Sequence, residues 1–142
     1  IGVAAMFMLG RGSDEMDQVD VEITKLEPGY MYKFPQPFTG NLAAPDNEFI
    51  YSANVTLEIK ERGDATEAEA LEEIGVGESK DNNRNKMPYV RRIIMEEIGN
   101  KTRIDITSTT GRERIAIAIK NNLNSILDKS QIKEVFLEIF VN

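Results

Sequence analysis

The sequence predicts an α+β domain: a small antiparallel or mixed sheet with helices packed on one of its faces. Three observations predict it. Residues 48–60 alternate between apolar and polar side chains, residues 111–128 repeat apolar residues at helical spacing, and residues 132–141 return to strand composition. Strand patterns on both sides of a helical stretch suit a sheet whose apolar face the helices cover. At 142 residues the chain suffices for one domain, and a domain of that size buries about two-thirds of its unfolded surface.

The elements follow in order. "VDVEITKL" at 19–26 sets Val19, Val21 and Ile23 against Asp20, Glu22 and Thr24, a half-buried strand. "EPGYMYKFPQPFTGNL" carries three prolines and two glycines and is expected to be irregular, with at most a short edge strand over Phe38 to Leu42. In 48–60, Phe49, Tyr51, Ala53, Val55, Leu57 and Ile59 share one face. Thr66 and Glu69 form a capping box for a surface helix that Gly75 ends. "SKDNNRNK" reads as a loop. Pro88 starts a second helix, striped by Val90, Ile93, Ile94 and Ile98 and ended by Gly99. Thr110 and Glu113 suggest a further capping box for the longest helix, 111–128, with Ile115, Ala118, Ile119, Leu123, Ile126 and Leu127 on its apolar face. The last strand is apolar on both sides, Val135, Leu137, Ile139 and Val141 against Phe136 and Phe140, so it is expected to be central or covered.

Composition excludes much. The net charge of −7 and pI near 4.7 argue against a nucleic-acid binder and against electrostatic attachment to anionic lipid. Without cysteine or histidine there is no disulfide framework, thiol nucleophile or Ser-His-Asp triad, and most zinc chemistry is gone. The charge is unevenly placed. Seven acidic residues face a single arginine between Glu61 and Glu78, and five basic residues face only Asp81 between Lys80 and Arg92. Either these are two solvated faces, or the acidic block of one molecule meets the basic block of the next.

Candidates for chemistry are few. The carboxylate pairs Glu72–Glu73 and Glu96–Glu97 are the only candidates for acid–base work. Neighbours on a helix point about 100° apart, so neither pair forms a dyad and a solvated face is the expectation. Glu97 falls within the stripe of Val90, Ile93 and Ile94, which suggests a basic partner or an interface; Asn122 falls within the apolar face of the last helix and needs hydrogen-bond partners if buried. Asp14, Glu15, Asp17 and Asp20 lack the spacing of a calcium loop, and "GVG" at 75–77 follows a helix and is no phosphate cradle. No catalytic residue, cofactor or metal is expected.

The second half resembles a known family. "MPYVRRIIMEEIGNKT" is similar to the Pro–x–Ile–Arg–x–x–Ile–Ile…Lys–Thr helix of the flagellar basal-body-associated FliL proteins, through Pro88, Val90, Arg91, Ile94, Lys101 and Thr102. "STTGRERIAIAIKNNLNSIL" resembles that family's Ser–x–x–Gly–Lys…Asn–x–x–Leu helix through Ser108, Gly111, Asn124 and Leu127, with Arg112 in the lysine's place. "VFLEIFVN" looks like its terminal strand through Val135, Phe136 and Phe140, and "PFTGNL" like its entry to a long strand. The resemblance covers about Phe38 to Asn142. Arg92 stands where the family usually has Asp, and Glu97 where it usually has an apolar residue.

The resemblance bears on the opening "IGVAAMFML", which could be the edge of a core or the tail of a membrane span. Nine helical residues rise only about 14 Å, roughly half of a bilayer's hydrocarbon core. Family membership implies a single-pass bacterial inner-membrane protein. Ile1, Val3, Met6, Phe7, Met8 and Leu9 would then end the transmembrane helix, residues 10–18 form a linker, and residues 19–142 form a periplasmic domain. It further implies a stomatin-like domain that assembles into a homo-oligomeric ring around the flagellar stator and supports its engagement, without enzymatic activity. Under that reading the protomer or partner interface is expected at Glu67, Glu69, Glu72, Glu73, Lys86, Arg91, Arg92 and Glu97. A membrane-anchored periplasmic ligand-binding or sensory module is the alternative, and it needs a pocket with converging polar groups.

Overall fold

The computed structural model describes residues 29–76 and 85–142. Two long strands organise it. β3 (Ile50–Glu61) lies at the centre of an antiparallel sheet, with β4 (Ser130–Val141) along one side and the short β1 (Tyr30–Lys33) and β2 (Phe38–Asn41) end to end along the other. The helices α1 (Glu67–Glu73), α2 (Met87–Gly99), α3 (Arg103–Thr107) and α4 (Thr109–Ile126) fall between β3 and β4 in the chain. The fold is α+β.

The alternation in β3 decides which way the sheet faces. Tyr51, Ala53, Val55, Leu57 and Ile59 are all buried, while the intervening side chains are half-buried. Against the buried row pack Val90, Ile94 and Ile98 of α2 and Ile115, Ile119 and Leu123 of α4. α4 lies along β4, α2 packs against α4 and β2, and α1 sits against β3 and β4 near the end where β4 begins. The core is therefore a single layer of branched aliphatic side chains between one sheet face and the helices.

Several details differ from expectation. Tyr30–Lys33 is a strand despite its proline-rich surroundings, because its backbone is paired from Tyr30↔Ile59 to Lys33↔Thr56. The turn that follows buries Phe34, whose ring meets Phe38 edge-on at 5.0 Å. α4 starts two residues early: Ser108 is the N-cap and its side chain accepts the Gly111 N–H at 2.9 Å, so the Thr110–Glu113 capping box does not form. α3 has its own capping box instead, with Thr102 and Asp105. Among the described residues β4 pairs only with β3, so it is an edge strand, and Phe136 and Phe140 are exposed rather than covered. The strand expected at 19–26, the membrane segment 1–9 and the linker 10–18 lie outside the described residues.

Candidate functional site

The residues that carry the resemblance are mostly spent on holding the fold. Pro88 opens α2, where its missing N–H costs nothing. The Lys101 carbonyl accepts the Ala43 N–H at 2.9 Å, joining the α2–α3 junction to the loop after β2. A Cβ on Gly111 would run into the Asp105 carbonyl, so only glycine lets α3 and α4 meet at that angle. Arg112 donates to the carbonyls of Ile106 and Thr107 at 3.1 and 3.0 Å, closing the end of α3. Asn124 behaves as a piece of strand: its Oδ1 accepts the Ile132 N–H at 2.7 Å, and its Nδ2 donates to the Ile132 carbonyl at 3.1 Å.

Among the described residues the acidic and basic blocks meet within one molecule at Glu73 and Lys86. Glu73 is buried, contrary to the solvated face expected for Glu72–Glu73. Its carboxylate accepts the backbone N–H groups of Asp128, Lys129 and Ser130 at 2.6, 2.8 and 2.9 Å, and the Ser130 hydroxyl at 2.8 Å. Three successive N–H groups in the α4–β4 turn make an anion-binding concavity, and Glu73 fills it. Lys86 closes the site with its Nζ 3.1 Å from Glu73 and 3.1 Å from Asp128, while also donating to the Ile126 carbonyl at the end of α4. Burial alone would raise the Glu73 pKa, but these donors outweigh it and hold the carboxyl below its ordinary value. Burial likewise opposes the charge on Lys86, and the Glu73 and Asp128 carboxylates outweigh it and raise its pKa. Both side chains serve the fold.

Glu97 and Asn122, singled out separately in the sequence, are partners. Asn122 Nδ2 donates to Glu97 Oε2 at 2.7 Å, and Lys101 lies 3.6 Å from the other oxygen. Asn122 is exposed rather than set in the apolar face of α4. The pair tethers α2 to α4 at the margin of the core.

The other predicted interface residues lie apart. On α1, Glu67 and Glu69 are exposed and Glu72 is half-buried; Glu69 also accepts the Thr66 N–H at 2.9 Å as part of the expected capping box. On α2, Arg91 stacks over Phe38 with its guanidinium carbon 4.9 Å from the ring centre, and Arg92 lies over Tyr89 at 5.6 Å. Met87, Pro88, Arg91, Arg92, Met95 and Glu96 line a shallow hollow on the outside of α2. Sequence reasoning missed the exposed side chains of Tyr89 and Met95 beside Arg92, and the exposure of Phe136 and Phe140. The signal for the first was available, since positions 89, 92 and 95 lie opposite the stripe of 90, 94 and 98.

Among the described residues no group of three or more carboxylates could hold a metal ion, and no helix is long and apolar enough to cross a membrane. The chemistry on display is that of surfaces: a basic and partly apolar helix face, an acidic helix, and a sheet face with two exposed phenylalanines. Comparison with known proteins supplies the context. The model of the flagellar basal body-associated protein FliL family matches residues 31–142. The chain belongs to the FliL family. It is similar to the flagellar protein FliL of Aquifex aeolicus (strain VF5), 30% identical over 115 residues. That match covers 81% of this chain and 62% of the relative, so the chain spans under two-thirds of the relative's length. The match to the FliL family includes all the strands but for Tyr30 and all four helices.

Proposed function

We propose that this chain is a non-enzymatic component of the flagellar motor, an inner-membrane protein whose stomatin-like periplasmic domain forms a homo-oligomeric ring around the stator and supports its engagement and torque in motility. The match to the flagellar basal-body family over residues 31–142 carries this reading. The apolar segment at residues 1–9 is its membrane anchor, single-pass, with the domain on the periplasmic side. The surfaces agree with a scaffold: the residues in register with the family pattern build caps, turns and helix contacts, and they leave charged and apolar side chains outside for partners.

Of the expected interface residues, Glu73, Lys86 and Glu97 are engaged inside the molecule. Among the expected residues, the exposed side chains of Arg92 on the basic side and of Glu67 on the acidic side then carry the proposed interface, with Arg91, Glu69 and Glu72 beside them. The test is motility under load. In a strain producing only the Arg92→Glu variant, swimming in viscous medium falls while the variant's unfolding midpoint stays at that of the parent chain. Unchanged swimming and unchanged recovery of stator proteins with the variant would contradict the role of this surface.

A further inference from the structure

The outer face of the sheet carries more apolar surface than a face turned to water needs. It is the side opposite the buried row of β3, and the strand register puts Ile50, Phe136 and Phe140 on it, with Met31 across on β1. All four are exposed, Phe136 at 48% and Phe140 at 58%, so nothing among the described residues covers them. Single exposed apolar side chains are ordinary, but several on one face mark a contact.

The chain itself arrives at this face. Gly29 donates its N–H to Glu58 Oε2 at 2.9 Å, and Glu58 is one of the outer-face side chains. Gly29 lies so close to β3 that a Cβ would meet the Ile59 carbonyl oxygen at 2.5 Å. A tight turn through Pro28 and Gly29 would fold the preceding residues back beside β1, but it needs a positive φ at Gly29. Among the described glycines only Gly63 and Gly75 have one. That turn is not made.

The 28 residues before Gly29 contain one segment in search of a cover: residues 19–26, with Val19, Val21 and Ile23 on one side of a strand pattern. Its reach fits the face. Counted in strand steps from Gly29, Phe136 is about 17 Å away and Phe140 about 29 Å. Extended chain spans about 20 Å from Gly29 back to Ile23 and about 34 Å back to Val19. Ile23 and Val19 are then about 13 Å apart, the same as Phe136 and Phe140, because each pair is separated by four residues of strand.

We propose that residues 19–26 of the same chain lie extended over the outer face of β3 and β4, antiparallel to β4, with Ile23 on Phe136 and Val19 on Phe140. Lys25 then falls at Glu134, opposite charges together. Val21 falls at Glu138, whose carboxylate is drawn aside by Asn54 Nδ2 at 3.4 Å. Asp20, Glu22 and Thr24 face water. The assignment does not depend on the ring reading. It leaves residues 10–18 as the whole tether between the apolar segment 1–9 and the sheet, and it removes the outer sheet face from contacts between copies.

The chain has no cysteine, so introduced thiols report alone. The full chain in detergent carries Val21→Cys with Glu138→Cys, which spares Val19, Ile23 and both phenyl rings, and is treated with a short bis-maleimide. The expected product is a link within one chain: monomer mass, with the peptides holding positions 21 and 138 joined after digestion. A mixture of the two single variants gives no covalent dimer. In the Glu138→Cys single variant, adding Ile23→Asp is expected to speed maleimide labelling of the thiol by about tenfold. A mixed dimer would place the segment of one copy on the sheet of another and overturn the assignment. Absence of the link, with labelling unchanged by Ile23→Asp, would overturn it as well. A slow rate in that case leaves the face to another protein, and a fast one leaves it to water.

Discussion

Glu73 shows how one side chain can hold three parts of a chain together. It belongs to α1, its acceptors serve the turn between α4 and β4, and Lys86 brings in the approach to α2. Replacing it by alanine leaves three backbone donors without their acceptor and takes from Lys86 one of its two carboxylates. Glu73→Ala is expected to cost about 3 kcal/mol in a denaturant titration. Lys86 is partly solvated, so Lys86→Met costs less, about 1 kcal/mol. The sign with pH follows from the lowered carboxyl pKa. The Glu73 contribution is complete above the ordinary carboxylate value of 4.5 and is lost as pH falls through the lower value of the folded state. The parent chain therefore loses stability below about pH 4.5 more steeply than Glu73→Ala does, which paired melts across that range would show. None of this was legible in the sequence. The hydrogen-bond partners of Glu73 lie 55 to 57 residues away, and no local pattern marks a glutamate that will be buried by distant backbone.

For the strands and helices, legibility followed the length of the pattern. β3 announced itself because one face is buried along its whole length, and α2 because its stripe is regular. β1 has four residues and owes its conformation to pairing with β3 rather than to its own composition. α3 has five, capped by a threonine and an aspartate, where a glutamate or glutamine is the usual signal. The sequence suggests Thr110 as the cap of α4, but Ser108 caps it, and Gly111 three residues on lets α3 come close. Ser108→Ala is accordingly expected to destabilise the protein by about 1 kcal/mol, while Thr110→Ala changes it by less than about 0.5 kcal/mol. Equal effects in thermal melts would restore the cap that the sequence suggested. Within the core, Ile94 is fully buried between α2 and the sheet, and Ile94→Ala should cost about 3 kcal/mol through the cavity it leaves.

Among the described residues, one face of the sheet is covered by helices and the other is not, and the outward side of α2 lies on the far side. Fold class and the identity of the second half could be read from the sequence, because the helix stripes and caps that define them are local. The surfaces could not. Whether Phe136 and Phe140 are inside or outside depends on whether a further layer covers that face of the sheet, and a strand apolar on both faces gives the same pattern either way. The acidic and basic blocks are a related case: among the described residues Glu73 meets Lys86 inside one molecule, a pairing that block charge alone does not predict. What remains for the proposed assembly is the outward side of α2 and the exposed carboxylates of α1, together with the apolar segment at residues 1–9. The measurement that bears most directly on a ring organised by the membrane is the particle mass of the detergent-solubilised chain, by mass photometry with negative-stain imaging, with and without residues 1–12. The full chain is expected to form closed rings of uniform size, and the shortened one smaller species. A monomer in both preparations would contradict self-assembly of this chain.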